Sequence, residues 1–359
     1  MNNYNTVLQT IYYNPKHQAG FSSVNKLYKA AKLIDNTITL KGVKQWLLGE
    51  FTYTLHKPVR KRFIRNPIIA DKIDKQWEAD LVDMQQFASK NSGARYILTV
   101  IDIFSKYAWA KALKNKTPKM IINAFKEIFS EGRKPQNVRT DQGTEFVNQS
   151  FKVFLQNNNI KHYLTKDKDI KCAIVERFNR TLKMRMFKYF TSKGVRKYID
   201  ILYDLVSAYN NSYHRSIKMR PIDVNNINTS SVFQNLYGVP SMQEFKKIRA
   251  KSTFQANDIV RKQYDFKPFD KGYYPNWTDK LYEVKSVYRG PKKTVYEISD
   301  DSSRRYYPEQ LQKVKQNLYR IEKIIRTKTI SGKKQFYVKW LGYSNNFNSW
   351  IDETELVKL

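Results

Sequence analysis

Apolar residues recur at helical spacing through the first 57 residues. In VNKLYKAAKLI (24–34), Val24, Leu27, Ala31 and Ile34 share one face of a 3.6-residue period, which predicts an amphipathic helix with these four turned inward. Thr39 stands where it can cap a second helix, LKGVKQWLLGEF, with Val43, Trp46 and Leu47 facing the core. Two short helices joined by a turn have the outline of a helix-turn-helix, so residues 1–57 read as an N-terminal helical domain. HKPVRKRFIRNP (56–67) interrupts the period with two prolines and five Lys or Arg. Residues 58–75 therefore read as a basic linker, either a solvated tether or an arm lying on phosphates.

The pattern changes at residue 76. QWEADLVDM (76–84), ARYILTVIDIF (94–104) and KYAWAKAL (106–113) read as three successive strands. Pro118 opens a helix, PKMIINAFKEIF (118–129), which Gly132 follows. NVRTD (137–141) is a short strand, SFKVFLQNN (150–158) a helix and IKHYLT (160–165) a fifth strand. A long basic helix from about Ile170 to Phe190 and a second over VRKYIDILYDLVSAYNNSYH (195–214) complete the segment. Three strands followed by alternating helices and strands predict an α/β domain over 76–225, a mixed sheet with helices on its faces. A linker at 226–252 follows. DIVRKQY, LYEVKSVYR, TVYEISD and RRYYPEQL are short runs spaced by turn residues, which predicts a small barrel at 253–315. YRIEKIIRTKT, KKQFYVKWL and NSWID give a last β module at 316–359.

Charge narrows the partners. Sixty-five Lys and Arg against 32 Asp and Glu leave a formal net charge of +33, a field that attracts polyanions. The basic residues are interleaved with 25 Tyr and 20 Phe, which favours folded modules with basic surfaces over a basic tail. No stretch approaches the roughly 18 uncharged apolar residues of a spanning helix, and no secretory signal is evident at the start, so a membrane partner is not expected. One cysteine, Cys172, excludes a disulfide framework within the chain and suits a reducing compartment. The four histidines, His17, His56, His162 and His214, fit no zinc spacing.

Three carboxylates stand out by position. Asp80 lies mid-strand in WEADLVDM, where a charge is costly without a partner. Asp141 ends the strand NVRTD, and Glu176 sits on the helix KCAIVERFNRTLK. Singly, Asp141 also reads as a turn former and Glu176 as an ion-pair partner of Arg180. Asp83, on the opposite strand face from Asp80 by period two, and Asp102, at the end of the second strand, are rivals that stay outside the set.

WEAD, VRTDQGTEF and VERFNRTLK together resemble the catalytic core of retroviral and retrotransposon integrases, which has an RNase H-like fold. YTLHKPVRKRF (53–63), KGYYPNWTDKLYEV (271–284) and FNSW (347–350) resemble the integrases of Maverick/Polinton elements and their virophage relatives, so the resemblance covers nearly the whole chain. The 34 residues between Asp141 and Glu176 are one fewer than the commonest retroviral spacing. The resemblance implies a DDE integrase in which Asp80 bridges two magnesium ions (or manganese in their place), with Asp141 and Glu176 each holding one. Such ions, about 4 Å apart, stabilise the attacking and leaving oxygens of an in-line phosphoryl transfer. It further implies that Asn179, Arg180 and Lys183, at i+3, i+4 and i+7 from Glu176, contact DNA, and that TKDKDIK (165–171) is a mobile loop. A solvated basic face is the plainer reading of Arg180 and Lys183.

Retroviral integrases carry a His2Cys2 zinc module at the N-terminus; with no cysteine before Cys172, residues 1–57 are expected to fold without zinc. The segment 253–315 resembles the SH3-like integrase domain, with Lys262, Lys267, Lys271 and Arg289 as its DNA-backbone candidates. The last module resembles a chromodomain: Tyr319, Trp340 and Tyr343 match that family's methyl-lysine cage, where a cation sits among aromatic faces. Phe347 replaces a common acidic residue there. The implied partners are element ends, target DNA and a methylated histone tail, and the implied state is a homo-oligomer in the host nucleus or packaged in a virion. The competing readings are another RNase H-fold nuclease and a chromatin-targeted DNA-binding protein with an inactive nuclease core.

Overall fold

The computed structural model describes residues 3–60, 62–165, 172–266, 269–314 and 318–356. The chain divides into two compact units, Asn66–Arg249 and a second made from Met1–Arg65 with Ala250–Leu359.

The N-terminal segment is helical: α1 (Asn3–Tyr12), α2 (Val24–Ile34), α3 (Leu40–Leu47) and α4 (Phe51–His56). Leu8, Ile11, Leu27, Ala31, Val43 and Leu47 form its buried centre. Thr39 caps α3 as its position predicts, its hydroxyl accepting the Gly42 N–H at 3.1 Å. Ile34, expected inside, is 64% exposed at the last residue of α2. Val24 and Trp46 are only half-buried. The expected second helix is two helices, broken around Gly49.

The central unit opens with three antiparallel strands, β1 (Gln76–Asp83), β2 (Tyr96–Asp102) and β3 (Ala108–Leu113). Helix α5 (Pro118–Ser130), β4 (Asn137–Thr140), α6 (Gln149–Asn157) and β5 (Lys161–Leu164) follow. Helices α7 (Ala173–Lys193), α8 (Leu202–Asn210), α9 (Thr229–Tyr237) and α10 (Met242–Lys247) complete the unit. The sheet order is β3-β2-β1-β4-β5, with β4 parallel to both β1 and β5, which is the mixed sheet expected. Alternation along β1 divides its side chains between two cores. Trp77 and Ala79 join the cluster under α5 and α6, while Val82 joins the cluster under α7 and α8. Glu78 and Asp80 share the parity of Val82 and therefore the α7 face.

Two expectations change here. The helix read over 195–214 is confined to Leu202–Asn210. Turns precede it, and Asn210 is drawn into the sheet, where its side chain accepts from Ala108 N–H and donates to Ala108 C=O, both at 2.9 Å. The stretches read as linkers at 58–75 and 226–252 are partly folded into this unit: Ala70, Val232, Phe233 and Phe245 are buried against Ile103 and Phe104. The scattered apolar residues of these stretches find one another in space.

The C-terminal part holds β6 (Ile259–Lys262), β7 (Tyr282–Arg289), β8 (Thr294–Ile298), β9 (Asp301–Tyr306) and β10 (Leu311–Lys313) in the order β10-β6-β7-β8-β9. Val260, Val284, Tyr296 and Tyr306 are its fully buried centre. A three-stranded antiparallel sheet, β11 (Ile321–Ile330), β12 (Lys333–Trp340) and β13 (Ser349–Asp352), ends the described chain. Both sheets match the β modules expected, SH3-like and chromodomain-like.

Candidate active site

Strand register brings the two aspartates together. β1 and β4 run parallel with Glu78 opposite Arg139. Two residues further along each strand stand Asp80 and Asp141, at the carboxyl end of the sheet where open α/β sheets place their ligands. Helix α7 lies across this face and carries Glu176 in its first turn. Asp80 is half-buried, whereas Asp141 and Glu176 are exposed.

Asp80 is held on both oxygens. Its own neighbour Leu81 donates a backbone N–H to Oδ1 at 2.8 Å, and Asn179 donates its side-chain N–H to Oδ2 at 2.8 Å. Burial pushes its carboxyl up to about 6, and the negative charges of Asp141 and Glu176 push the same way, opposed by the two hydrogen bonds. Asp80 therefore senses both of the other carboxylates. Asp141 is steadied by the Gly143 N–H on Oδ1 at 3.1 Å.

An open groove of about 550 Å³ runs between β1 and α7. Asp80 and Asp83 line it from the strand, and Glu176, Asn179, Arg180 and Lys183 line it from the helix. Arg180 and Lys183 are exposed, and among the described residues no ion pair joins Glu176 to Arg180. Asn179, expected to touch DNA, is buried and turned onto Asp80. Asp83 lies in the groove but accepts from its own Gln85 N–H and side chain, at 2.9 Å each. Asp102 is fully buried at the other end of the strand pair, on Arg133 Nη2 at 3.0 Å and Ser105 Oγ at 2.5 Å. Of the loop 165–171, all but Thr165 lies outside the described residues.

The raised Asp80 carboxyl has a measurable consequence. The folded chain holds this proton more tightly than the unfolded one, so the stabilisation it gives is complete below the unfolded value of 3.8 and is lost as pH rises through about 6. Asp80→Asn is expected to stabilise the metal-free protein by on the order of 2 kcal/mol near pH 7.5 and by little near pH 4. Thermal unfolding in EDTA at the two pH values reads this; an equal shift at both would mean that the Asp80 carboxyl is not raised in the folded chain.

In the C-terminal modules the three cage candidates do come together. The Tyr319 ring centroid lies 5.9 Å from both Trp340 and Tyr343, at steep interplanar angles. Two features were not legible in sequence. The Tyr343 hydroxyl accepts the Leu281 N–H at 2.9 Å, and Lys280 Nζ stands 5.7 Å from the Tyr343 ring and 5.6 Å from Phe347. Among the barrel lysines, Lys262 is turned inward onto Asp301 at 2.6 Å rather than outward. Lys271 and Arg289 are exposed, and Lys267 lies outside the described residues.

Comparison with known proteins follows the same division. Residues 70–169 match the integrase core domain model and residues 319–359 the chromo (chromatin organisation modifier) domain model. A transposon-derived protein of Caenorhabditis elegans is 36% identical over 205 residues, covering 57% of this chain and 67% of that protein. The chain belongs to the transposon-derived integrase core-domain family. The Pol polyprotein of radiation murine leukemia virus (strain Kaplan) is 29% identical to this integrase-family chain over 134 residues, 35% of the chain and 22% of the polyprotein's length. The fold of the family member is also that of a chain in the cryoEM structure of the simian T-cell lymphotropic virus intasome with PP2A regulatory subunit B56 gamma. The TM-score is 0.57 at 15% identity, over 80% of this chain and 94% of that one.

Proposed function

We propose that the chain is an active integrase, which trims the 3′ ends of a mobile or viral DNA and joins them to host DNA by in-line phosphoryl transfer. The observation that carries this reading is Asp80 in the middle of β1, crowded by Asp141 and Glu176, in an open groove rimmed by Arg180 and Lys183.

The donor set suits hard divalent cations, which take oxygen ligands. The crowding of negative charge at Asp80 is what a bound cation relieves. Cys172 is unsuited as a ligand: it is buried, and burial pushes its thiol up. Among the described residues no group of three or more His, Cys, Asp or Glu is gathered tightly enough to hold a metal ion. Asp80, Asp141 and Glu176 are the residues that hold magnesium in this reading. Two such ions supply charge stabilisation to the attacking and leaving oxygens.

The chain's own groups do the rest. Asn179 fixes the Asp80 carboxylate so that it cannot rotate away. Arg180 and Lys183 attract the phosphates beside the scissile bond and orient the strand. In end processing a water oxygen attacks phosphorus as the 3′ P–O bond breaks. In strand transfer the freed 3′-hydroxyl oxygen bonds to a target phosphorus as that phosphorus's bond to its own 3′ oxygen breaks, leaving a 3′-hydroxyl on the target strand, and no covalent enzyme intermediate is required. The same reading places the protein among Maverick/Polinton and virophage integrases, by the motifs quoted above, and as a homo-oligomer in the host nucleus. The test is incubation of the full chain with linear element ends and a plasmid target in magnesium. Joined products support the reading, and nicking without joining points to another RNase H-fold nuclease. Duplex binding without any chemistry points to an inactive core that only binds DNA.

The aromatic cluster supports a targeting role, since backbone contacts alone give weak site preference. Trp340→Ala is expected to leave joining on naked DNA within about twofold while weakening binding of a trimethyl-lysine peptide by about tenfold or more. Titration of the full chain with methylated and unmethylated peptides reads this. Equal affinity for both would make the cluster a docking surface for Lys280 and Leu281 only.

A further inference from the structure

We propose that Glu78 is a positioning residue that seats the catalytic helix α7 on β1 and thereby sets the spacing between Asp80 and Glu176. The proposal rests on the reading of these two carboxylates given above.

Glu78 is fully buried. Its Oε2 accepts two backbone N–H bonds, from Ile174 at 2.9 Å and Val175 at 3.0 Å. Both donors lie in the first turn of α7, where the leading N–H groups have no acceptor inside the helix. The usual solution is a Ser, Thr, Asp or Asn at the residue before the helix. Here that residue is Cys172, whose side chain makes no capping bond. The cap comes instead from a strand nearly a hundred residues earlier, and Glu176 is the next residue after the two donors.

One turn further along, Asn179 reaches back to Asp80. β1 therefore grips α7 at two points, through Glu78 and through Asp80, and these residues sit two apart on one strand face. A buried carboxylate is costly unless its hydrogen bonds are made, and a neighbouring N-cap would satisfy the same amides with less desolvation. What the strand-borne carboxylate adds is a fixed distance between sheet and helix. Arg139, opposite Glu78 in the parallel register, keeps this grip next to the strand that delivers Asp141.

The experiment uses the full chain with Glu78→Gln, which keeps an oxygen acceptor, and Glu78→Leu, which has none. Hydrogen exchange is followed at the Ile174 and Val175 amides, and joining is titrated with magnesium. In Glu78→Leu these two amides are expected to exchange about tenfold faster or more, as the loss of hydrogen bonds to a buried charge implies. Exchange in β2 and β3 should stay as in the parent. The magnesium needed for half-maximal joining should rise by a similar factor, with duplex binding in EDTA unchanged and Glu78→Gln close to the parent. If Glu78→Leu does not fold, Glu78→Asp withdraws the carboxylate by one methylene and is expected to give the same pattern. Unchanged exchange at 174 and 175, faster exchange throughout the sheet, or an unaltered magnesium requirement overturns the proposal. Should the parent protein join no DNA, the proposed function falls, and local exchange alone decides whether Glu78 seats the helix.

Discussion

Asp80→Asn is expected to lower both end processing and strand transfer by a factor on the order of 10³ or more, with Asp141→Asn and Glu176→Gln close behind. The three act on one charge distribution, so the double variants should be little worse than the single ones. Duplex binding should persist, because Arg180 and Lys183, to which the proposed function gives the attraction of phosphates, are separate, exposed side chains on α7. The variants are conservative in shape, and Asn at position 80 still presents an oxygen to Asn179. A loss of activity would therefore not trace to a lost fold, and the Asp80→Asn protein should be the more stable one without metal. Joining assays on gel, beside a binding isotherm, check the prediction. Near-normal joining by Asp141→Asn would falsify the catalytic assignment.

Arg133→Met is expected to cost roughly 3–5 kcal/mol of stability. The Arg133 guanidinium meets Asp74 at 2.5 Å and the fully buried Asp102 at 3.0 Å, and lies over the Tyr107 and Trp109 rings at 5.0 and 5.1 Å. Removing it strands the Asp102 charge in the core. Burial already raises the Asp102 carboxyl above the ordinary aspartate range, with Arg133 the main opposing influence. Without Arg133 it rises further, the folded chain holds the proton, and the damage is worst at high pH and recedes as pH falls. Asp102→Asn in the same chain should restore part of the loss, because the uncompensated charge is gone. Denaturant unfolding of the full chain, followed by hydrogen exchange in β1–β3, gives the measurement. A loss below about 1 kcal/mol at neutral pH would show that water already reaches Asp102.

What the sequence determined by itself is local and periodic. Period two in WEADLVDM placed β1, and the order of strands and helices after it implied a mixed sheet, because each signal lies within a few residues of itself. The three carboxylates were singled out only as a set, because WEAD, VRTDQGTEF and VERFNRTLK together resemble an integrase core; singly, Asp141 also read as a turn former and Glu176 as an ion-pair partner. The tertiary structure alone decided which groups meet. The Glu in WEAD was not singled out in the sequence; Ile174 and Val175, 96 and 97 residues later, meet it with their amides. Asn179 looked like a surface contact and is a buried brace for Asp80. The apparent linkers folded because Ala70 and Phe233 joined one apolar cluster, and Lys262 turned inward because it met Asp301. A hydrophobic period fixes which way a side chain points. The partner it finds there is set by the long-range closure of the chain, which leaves no trace in local spacing.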